Sequence, residues 1–216
     1  MQGMIKAIAF DFDGVIVDSN RLKYEAWFRI FPESEGVSHE LVRDVLLRIK
    51  QTRYDILQEI FNKLGRTHEQ SEQFVATYAM RYNKVVQDAI ALGGLIPGVR
   101  ETLVMLSQHY AIYINSATPE TALREAVMRG GIEPFIKKSY GTPASKEENL
   151  AMIIEREGID KEGIVMVGDG EGDFHAARAI GCFFIGVRNE SNNWSDKEFP
   201  LVTDLRQIEK IIAENV

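Results

Sequence analysis

The sequence has little of what several classes of protein require. Its 216 residues include one cysteine, Cys182, which rules out an intrachain disulfide framework and a multi-cysteine metal site. The formal net charge is −7 and lysine and arginine form no cluster, so the chain offers little attraction to nucleic acids or to an anionic membrane. No run approaches the roughly 18 apolar residues of a membrane-spanning helix, and residues 1–6 lack the features of a signal peptide. We therefore expect a cytoplasmic protein that binds neither nucleic acid nor membrane.

The residues that are present indicate a globular fold built on a parallel sheet. Apolar residues make up 45% of the chain and charged residues 26%, which is ordinary for a packed protein. Short apolar runs that end in small or polar residues predict buried strands. These runs are residues 5–10, 111–114, 164–167 and 183–187. Helical segments alternate with the later runs, and we therefore predict an α/β fold with helices on both faces of the sheet.

Three helices of this alternating part have recognisable ends. We predict one over residues 119–129, where a proline lies in the first turn and two glycines follow the last. A second begins at Ser145, which can form a capping box with Glu148. A third covers residues 173–180 and ends at Gly181.

Residues 20–92 interrupt the alternation of strands and helices. Apolar residues recur there at steps of three and four, which is typical of packed helices, and no segment resembles a strand. The glycine pair Gly93-Gly94 marks the return to the core. We therefore predict a core of residues 1–19 and 93–216 with an inserted helical subdomain of residues 20–92.

Two carboxylates follow directly on the first apolar run, in the segment Asp11-Phe12-Asp13-Gly14. They lie at the carboxyl end of a predicted strand, where open α/β sheets bind their ligands. Concentrated negative charge at this position predicts a site for a hard cation and an electrophile. An isolated pair of aspartates could equally form a turn or cap a helix.

Later segments resolve this choice, because they resemble the motifs of one enzyme family in the right order. Asp11 to Ser19 resembles the first motif of the haloacid dehalogenase-like hydrolase superfamily, in the form carried by its phosphatases. Ser116, Lys146 and the segment Gly168-Asp169-Gly170-Glu171-Gly172-Asp173 resemble its second, third and fourth motifs. The insertion resembles the family's cap of the first class, which lies between the first two motifs. The resemblance implies a Rossmann-like parallel-sheet core with a helical cap.

The resemblance also implies how the acidic residues act in phosphoryl transfer. Asp11 is the nucleophile that forms an aspartyl-phosphate, and Asp13 is the general acid and then the base. A Mg²⁺ ion is held by Asp11, by the backbone carbonyl of Asp13 and by Asp169. Asp173 is a further candidate ligand. It could equally accept a hydrogen bond next to the metal ligands without binding the metal itself, or it could cap its own helix.

Ser116, the following Ala117 and Lys146 are the predicted contacts to the phosphoryl group. Ser116 ends an apolar run, where its hydroxyl and the following N–H groups can bind a phosphate oxygen. The alternative is a helix-capping serine, but Thr118 directly precedes Pro119 and is the better cap candidate. Lys146 lies in the first turn of a helix, where the macrodipole opposes a cation by roughly a few tenths of a kcal/mol. A negative partner is therefore expected, although an exposed lysine paired with a neighbouring glutamate is the alternative.

The insertion is expected to select the substrate, because the core motifs handle only the phosphoryl group. Arg53 lies in a polar break between two helical patterns that resembles the substrate-contacting cap loop of the family's sugar-phosphate mutases, and Lys23 is a second candidate. Both could instead lie on a solvated helix face. The large apolar side chains of the insertion are expected in its own core, including Trp27, Phe61, Phe74 and Met80.

These residues together predict a Mg²⁺-dependent phosphohydrolase that acts on a small phosphorylated metabolite through an aspartyl-phosphate. A sugar phosphomutase of the same family remains open, as does a non-catalytic module that binds phosphorylated metabolites. A haloacid dehalogenase is disfavoured because Asp13 would have no task in it. A phosphonatase would need an imine-forming lysine, for which Lys23 is the candidate.

Overall fold

The computed structural model describes residues 4–32, 36–49, 52–66, 68–91, 94–189, 192, 194 and 198–215. The chain divides into two compact units, of which the first comprises Met1–Asn20 and Ala91–Val216 and the second comprises Arg21–Ile90. Gly93 of the expected return to the core lies outside the described residues. Gly94 accepts a hydrogen bond on its carbonyl from the Asp18 N–H (2.9 Å).

A parallel sheet forms the centre of the first unit. Its strands are β1 (Ala7–Phe10), β2 (Ala111–Pro119), β3 (Lys138–Thr142), β4 (Ile164–Gly168), β5 (Phe183–Val187) and β6 (Leu201–Val202). The six strands lie in the order β3-β2-β1-β4-β5-β6, and every neighbouring pair is parallel. The central strands β1 and β4 are buried along their whole length, as expected where helices cover both faces. The four strands predicted from apolar runs are confirmed.

The apolar runs do not predict the edge strands β3 and β6. β6 has only two residues, and the buried positions of β3 hold Ser139, Tyr140 and Gly141 rather than an apolar run. Gly141 is required by a close approach, because a Cβ there would lie 2.3 Å from the Thr118 carbonyl oxygen. Such a strand is recognised by the partner it pairs with, β2, and not by its own composition.

The second unit is helical, in agreement with the apolar periodicity. Its helices are α1 (Ser19–Trp27), α2 (His39–Arg48), α3 (Arg53–Lys63) and α4 (His68–Ala91), of which α1 begins and α4 ends just beyond the unit boundaries. Trp27 and Phe61 are buried in its core, as predicted, and Phe74 is half-buried against Phe61 (ring centroids 5.8 Å apart). Met80 is 67% exposed, so its predicted core position is wrong. Tyr78, two residues earlier on α4, is buried in its place.

The helices of the first unit are α5 (Val99–Leu106), α6 (Glu120–Arg129), α7 (Lys146–Glu157), α8 (Glu171–Ile180) and α9 (Ile208–Asn215). The capping box predicted for α7 is confirmed: the Glu148 N–H donates to Ser145 Oγ (3.2 Å), and the Ser145 N–H donates to Glu148 Oε2 (2.7 Å). α8 ends at Gly181 as predicted, with a left-handed φ of 80°, but it begins at Glu171 rather than at residue 173. Among the described residues, no helix combines the length and apolar character needed to cross a membrane.

Candidate active site

The strand order brings separate segments of the chain to one edge of the sheet. Phe10, the last residue of β1, pairs with Ile114 of β2 and with Val167 of β4, so the residues that follow these three positions are neighbours. Asp11 follows β1 directly, and its N–H donates to the Val167 carbonyl (2.8 Å). The carboxyl edge of the central strands therefore carries the acidic motif, where an open α/β sheet binds ligands.

Three carboxylates converge at this edge. Oxygens of Asp11, Asp169 and Asp173 lie within 4.8 Å of one another, the geometry of a potential metal site. Lys146 lies among them, with Nζ 3.0 Å from Asp11 Oδ1 and 2.5 Å from Asp173 Oδ1. The lysine side chain is 17% exposed and those of Asp11 and Asp173 are 9% and 1% exposed. The negative partner expected for Lys146 is thus a pair of buried carboxylates.

Two buried asparagines fix the start of α7 and with it Lys146. Asn115 Nδ2 donates to the Lys146 carbonyl (3.0 Å), and Asn149 Nδ2 donates to Asn115 Oδ1 (2.9 Å). Both side chains are fully buried, where an amide is costly unless it is hydrogen-bonded. Neither residue is among the sequence-predicted site residues. For Asn115 the available signal was a polar amide directly after the apolar run of residues 111–114.

Burial and like charges shift the pKa values in this cluster. Burial raises the pKa of Asp11 above its usual range, the charge of Asp173 raises it further, and Lys146 lowers it only in part. Burial also raises the pKa of Asp169, against the hydrogen bond from Asn189. Burial lowers the pKa of Lys146, but the charges of Asp11 and Asp173 outweigh this and the net shift is upward. Three carboxylates converge here beside one ammonium, and this arrangement favours an added cation.

Asp173 does not occupy the cap position of α8. It lies in the first turn, and its Oδ2 accepts a hydrogen bond from the N–H of Gly170, which is the N-cap residue (3.0 Å). Its Oδ1 faces Lys146. A Cβ at Gly168 would lie 2.3 Å from the Cβ of Asp173, so glycine at this position lets the helix start against the end of β4. The interpretation of Asp173 as an N-cap is therefore wrong.

Asp13 accepts a hydrogen bond from Thr118. The sequence predicts Thr118 as the cap of α6, and this prediction is wrong. Thr118 Oγ1 donates to Asp13 Oδ2 (3.1 Å). The N-cap of α6 is Pro119, which makes no side-chain cap, and the helix begins at Glu120. The correction has a simple cause: β2 continues to Pro119, so Thr118 belongs to the strand and its side chain faces the loop after β1.

Ser116 and Ala117 also lie in this extended end of β2. Ser116 is 1% exposed, and its Oγ accepts a hydrogen bond from the Thr118 N–H (3.1 Å). Ala117 is exposed. Ser116 is therefore not a helix cap, and its predicted contact with a phosphate oxygen stays a prediction.

The loop after β5 also reaches the cluster, through two asparagines that are not among the sequence-predicted site residues. Asn189 Nδ2 donates to Asp169 Oδ2 (2.6 Å) and to the Gly14 carbonyl (3.2 Å). Asn192 Nδ2 donates to the Asp169 carbonyl (3.1 Å) and to the Val187 carbonyl (2.8 Å). The available signal was an asparagine just after an apolar strand, at the edge where the acidic motif also lies.

Arg53 and Lys23 lie in the second compact unit. Arg53 is the first residue of α3 and is exposed, and its Nη1 donates to Asn83 Oδ1. Lys23 is half-buried on α1, and its carbonyl accepts a hydrogen bond from the Tyr82 hydroxyl (3.1 Å). Their contact with substrate stays a prediction.

A family model described as haloacid dehalogenase-like hydrolase matches residues 8–187. The chain belongs to this family. The match runs from β1 to the end of β5 of this chain. It therefore includes the residues of all four motifs and the inserted helices.

Curated relatives of this family member are phosphatases. The phosphoglycolate phosphatase of Synechococcus elongatus is 27% identical over 188 residues, which cover 85% of this chain and 84% of that protein. The phosphorylated carbohydrates phosphatase of Thermotoga maritima is 25% identical over 194 residues, which cover 82% of each. The chain is an enzyme of the phosphatase type of haloacid dehalogenase-like hydrolase, as the motifs predict.

Solved structures of other proteins share the fold of this chain. A HAD-superfamily hydrolase of subfamily IA from Geobacter sulfurreducens gives a TM-score of 0.75 at 20% identity and covers 97% of each chain. A β-phosphoglucomutase from Clostridium difficile gives a TM-score of 0.60 at 21% identity and covers 98% of each chain. The predicted Rossmann-like α/β fold is confirmed.

Proposed function

We propose that this protein hydrolyses a small phosphate monoester in a Mg²⁺-dependent reaction, with Asp11 as the nucleophile. The observation that carries the proposal is the convergence of Asp11, Asp169 and Asp173 at the carboxyl edge of β1 and β4, with Lys146 paired to Asp11 and Asp173. An aspartate nucleophile needs nearby positive charge while a phosphate ester approaches.

The residues present fit a Mg²⁺ ion. Mg²⁺ prefers hard oxygen ligands and usually binds one or two carboxylates, and the cluster offers carboxylate oxygens within 4.8 Å of one another. Burial first, and then the charge of Asp173, raises the pKa values of Asp11 and Asp169, and a bound cation would favour the ionised form of both carboxyl groups. In the proposal, Asp11, Asp169 and the Asp13 carbonyl hold the ion. Asp173 does not bind the ion but holds Lys146 through their ion pair. When bound, Mg²⁺ supplies positive charge that offsets the negative charge on the phosphoryl oxygens.

In the proposed reaction, an oxygen of Asp11 attacks the phosphorus and the bond from phosphorus to the ester oxygen breaks. Asp13 gives its proton to the departing alkoxide. A water molecule then gives a proton to Asp13 and attacks the phosphorus, the bond from phosphorus to Asp11 breaks, and inorganic phosphate leaves. The hydrogen bond from Thr118 Oγ1 to Asp13 Oδ2 supports this role, because it fixes the direction of the carboxyl group.

Lys146 and the end of β2 bind the phosphoryl group in the proposal. The Lys146 ammonium stays charged at neutral pH, since its pKa is raised, and it can pair with a phosphoryl oxygen while it remains close to Asp11. The Ser116 hydroxyl and the Ala117 N–H are the proposed hydrogen-bond donors. Removing one such donor from a polar active site typically slows the reaction by about 100- to 1,000-fold.

The proposed substrate is a small phosphorylated metabolite. Relatives that match more than four-fifths of this chain bear the names phosphoglycolate phosphatase and phosphorylated carbohydrates phosphatase, so phosphoglycolate and sugar phosphates are the first compounds to test. The helical unit of residues 21–90 is the proposed cap, with Arg53 and Lys23 as proposed contacts to the leaving group.

A phosphate-release screen over many monoesters, with Mg²⁺ and with excess chelator, tests the proposal. We expect phosphate release that requires Mg²⁺ and a phosphorylated protein that can be trapped by rapid acid quench. Asp11→Asn, which keeps the shape of the side chain, should lower kcat by at least about 1,000-fold, whereas the exposed Asp160→Asn is the matched control and should retain activity.

Three outcomes contradict the proposal. Undiminished turnover by Asp11→Asn would show that Asp11 is not the nucleophile. Full activity in excess chelator would show that the reaction does not require Mg²⁺. Conversion of a hexose phosphate into its isomer without phosphate release would instead make the protein a phosphomutase.

A further inference from the structure

One side chain joins the two loops that carry the acidic site. The two hydrogens of the Asn189 amide go to Asp169 Oδ2 in the loop after β4 and to the Gly14 carbonyl in the loop after β1. An amide has two such hydrogens, so both bonds can form at once. The bond to Asp169 is 2.6 Å long.

The same oxygen of Asp169 is also enclosed by Gly14. A Cβ added at Gly14 would lie 2.1 Å from Asp169 Oδ2 and 3.1 Å from Oδ1, so the carboxylate lies directly on the glycine backbone. Gly14 has a φ of 76°, in the left-handed region that glycine adopts readily. Asp169 Oδ2 is thus held between the backbone of one loop and the amide of another, and the rotation of the carboxylate is fixed.

The loop that carries Asn189 is itself anchored. Asn192 donates to the Asp169 carbonyl and to the carbonyl of Val187, the last residue of β5. β5 pairs with β4 directly beside it, with Gly168 opposite Gly186. Asn189 therefore approaches Asp169 from a segment tied both to the sheet and to the backbone of Asp169.

We propose that Asn189 is a positioning residue of the metal site, which orients the Asp169 carboxylate for Mg²⁺ by clamping it against Gly14. The inference rests on the proposed function, because it takes Asp169 to be a metal ligand. Hydrogen bonds to a ligating carboxylate reduce its freedom before the metal arrives, and their loss typically weakens metal binding by about 10- to 100-fold.

The test is the affinity for Mg²⁺, measured by titration calorimetry on the full chain in the absence of substrate. Asn189→Leu removes both donors and nearly keeps the volume, and we expect its Mg²⁺ dissociation constant to rise by about 10- to 100-fold. At saturating Mg²⁺ its kcat should return to within a few-fold of the wild type, since Asn189 touches no reacting atom. If Asn189→Leu does not fold, Asn189→Ala carries the same measurement.

Two controls separate positioning from loop order. Asn215→Leu removes an exposed amide that donates to the Ile211 carbonyl on α9, and it should leave Mg²⁺ affinity unchanged. Asn192→Leu removes the two hydrogen bonds that the Asn192 amide donates and the one that its Oδ1 accepts from the Asn189 N–H (3.5 Å), but it leaves the Asn189 side chain and its contact with the Asp169 carboxylate in place. It should therefore weaken Mg²⁺ binding less than Asn189→Leu does.

The inference is overturned if Asn189→Leu binds Mg²⁺ within about twofold of the wild type, or if Asn192→Leu weakens binding equally. The proposed function survives both results. Absence of Mg²⁺ binding by the wild-type chain would instead overturn the proposed metal site and this inference together.

Discussion

The contacts of Lys146 predict that loss of its ammonium is costly to the metal-free protein. Lys146→Met removes the ammonium and keeps most of the volume of the side chain. The ammonium lies 3.0 Å from Asp11 Oδ1 and 2.5 Å from Asp173 Oδ1, and the lysine side chain is 17% exposed. The substitution leaves three converging carboxylates with no cation from this lysine to balance them.

The size of the effect follows from two opposing contributions. Removing one partner of a buried ion pair costs about 3–5 kcal/mol, because the remaining charge is left uncompensated. A cation in the first turn of α7 is opposed by the helix dipole, so its removal returns about 0.5 kcal/mol. We therefore expect the free energy of unfolding to fall by about 2.5–4.5 kcal/mol. The pKa of Lys146 is raised above its ordinary value of 10.5, so its contribution is present at neutral pH and is lost only as the pH rises above about 10.5.

Urea unfolding of the chelator-treated protein at neutral pH measures the fall in the free energy of unfolding caused by Lys146→Met. The same measurement with saturating Mg²⁺ should show a smaller fall, because the bound ion balances the same carboxylates. The matched control is Lys161→Met, whose side chain is 55% exposed and 3.9 Å from Glu162. It should change stability by less than about 0.5 kcal/mol. A loss below about 1 kcal/mol for Lys146→Met in chelator would refute the reasoning, since it would mean that the carboxylates are not charged together in the folded protein.

Two further substitutions test other contacts. Thr118→Val removes the hydroxyl that donates to Asp13 and should lower kcat about 10-fold or more with little change in KM. Thr118→Ser keeps a hydroxyl and should restore kcat. Steady-state rates of Thr118→Val within twofold of the wild type would show that Thr118 does not orient Asp13 for catalysis. Glu157→Gln tests a pH dependence: burial opposes ionisation of Glu157, but hydrogen bonds from Lys137 and Tyr113 lower its pKa on balance. A lowered pKa stabilises the fold above the ordinary value of 4.5, and this stabilisation is lost as the pH falls below that value. Glu157→Gln should therefore cost about 1 kcal/mol at pH 7 and less at pH 3, measured by thermal unfolding. Equal losses at both pH values would show that the ionised Glu157 carboxylate is not the source of the stabilisation.

Several features of the site follow from the order of residues along the chain. Asp11 and Asp13 come directly after an apolar run, and in a parallel sheet the residues after such runs gather at one edge. Ser145 and Glu148 form a local capping box that needs no tertiary partner. Local rules failed where the backbone was held by a neighbouring strand: Thr118 has the sequence environment of a helix cap, but pairing with β3 keeps β2 extended to Pro119.

By itself the sequence determined the central strands, the helical insertion and the acidic residues at the carboxyl edge, because apolar periodicity and strand ends are properties of short segments. Only the tertiary structure decided which side chains support those residues. The contacts of Lys146 with Asp173, of Thr118 with Asp13 and of Asn189 with Asp169 join residues 27, 105 and 20 positions apart. Such contacts exist because β2, β1, β4 and β5 lie side by side in an order that differs from their order in the chain, and no local pattern encodes that order.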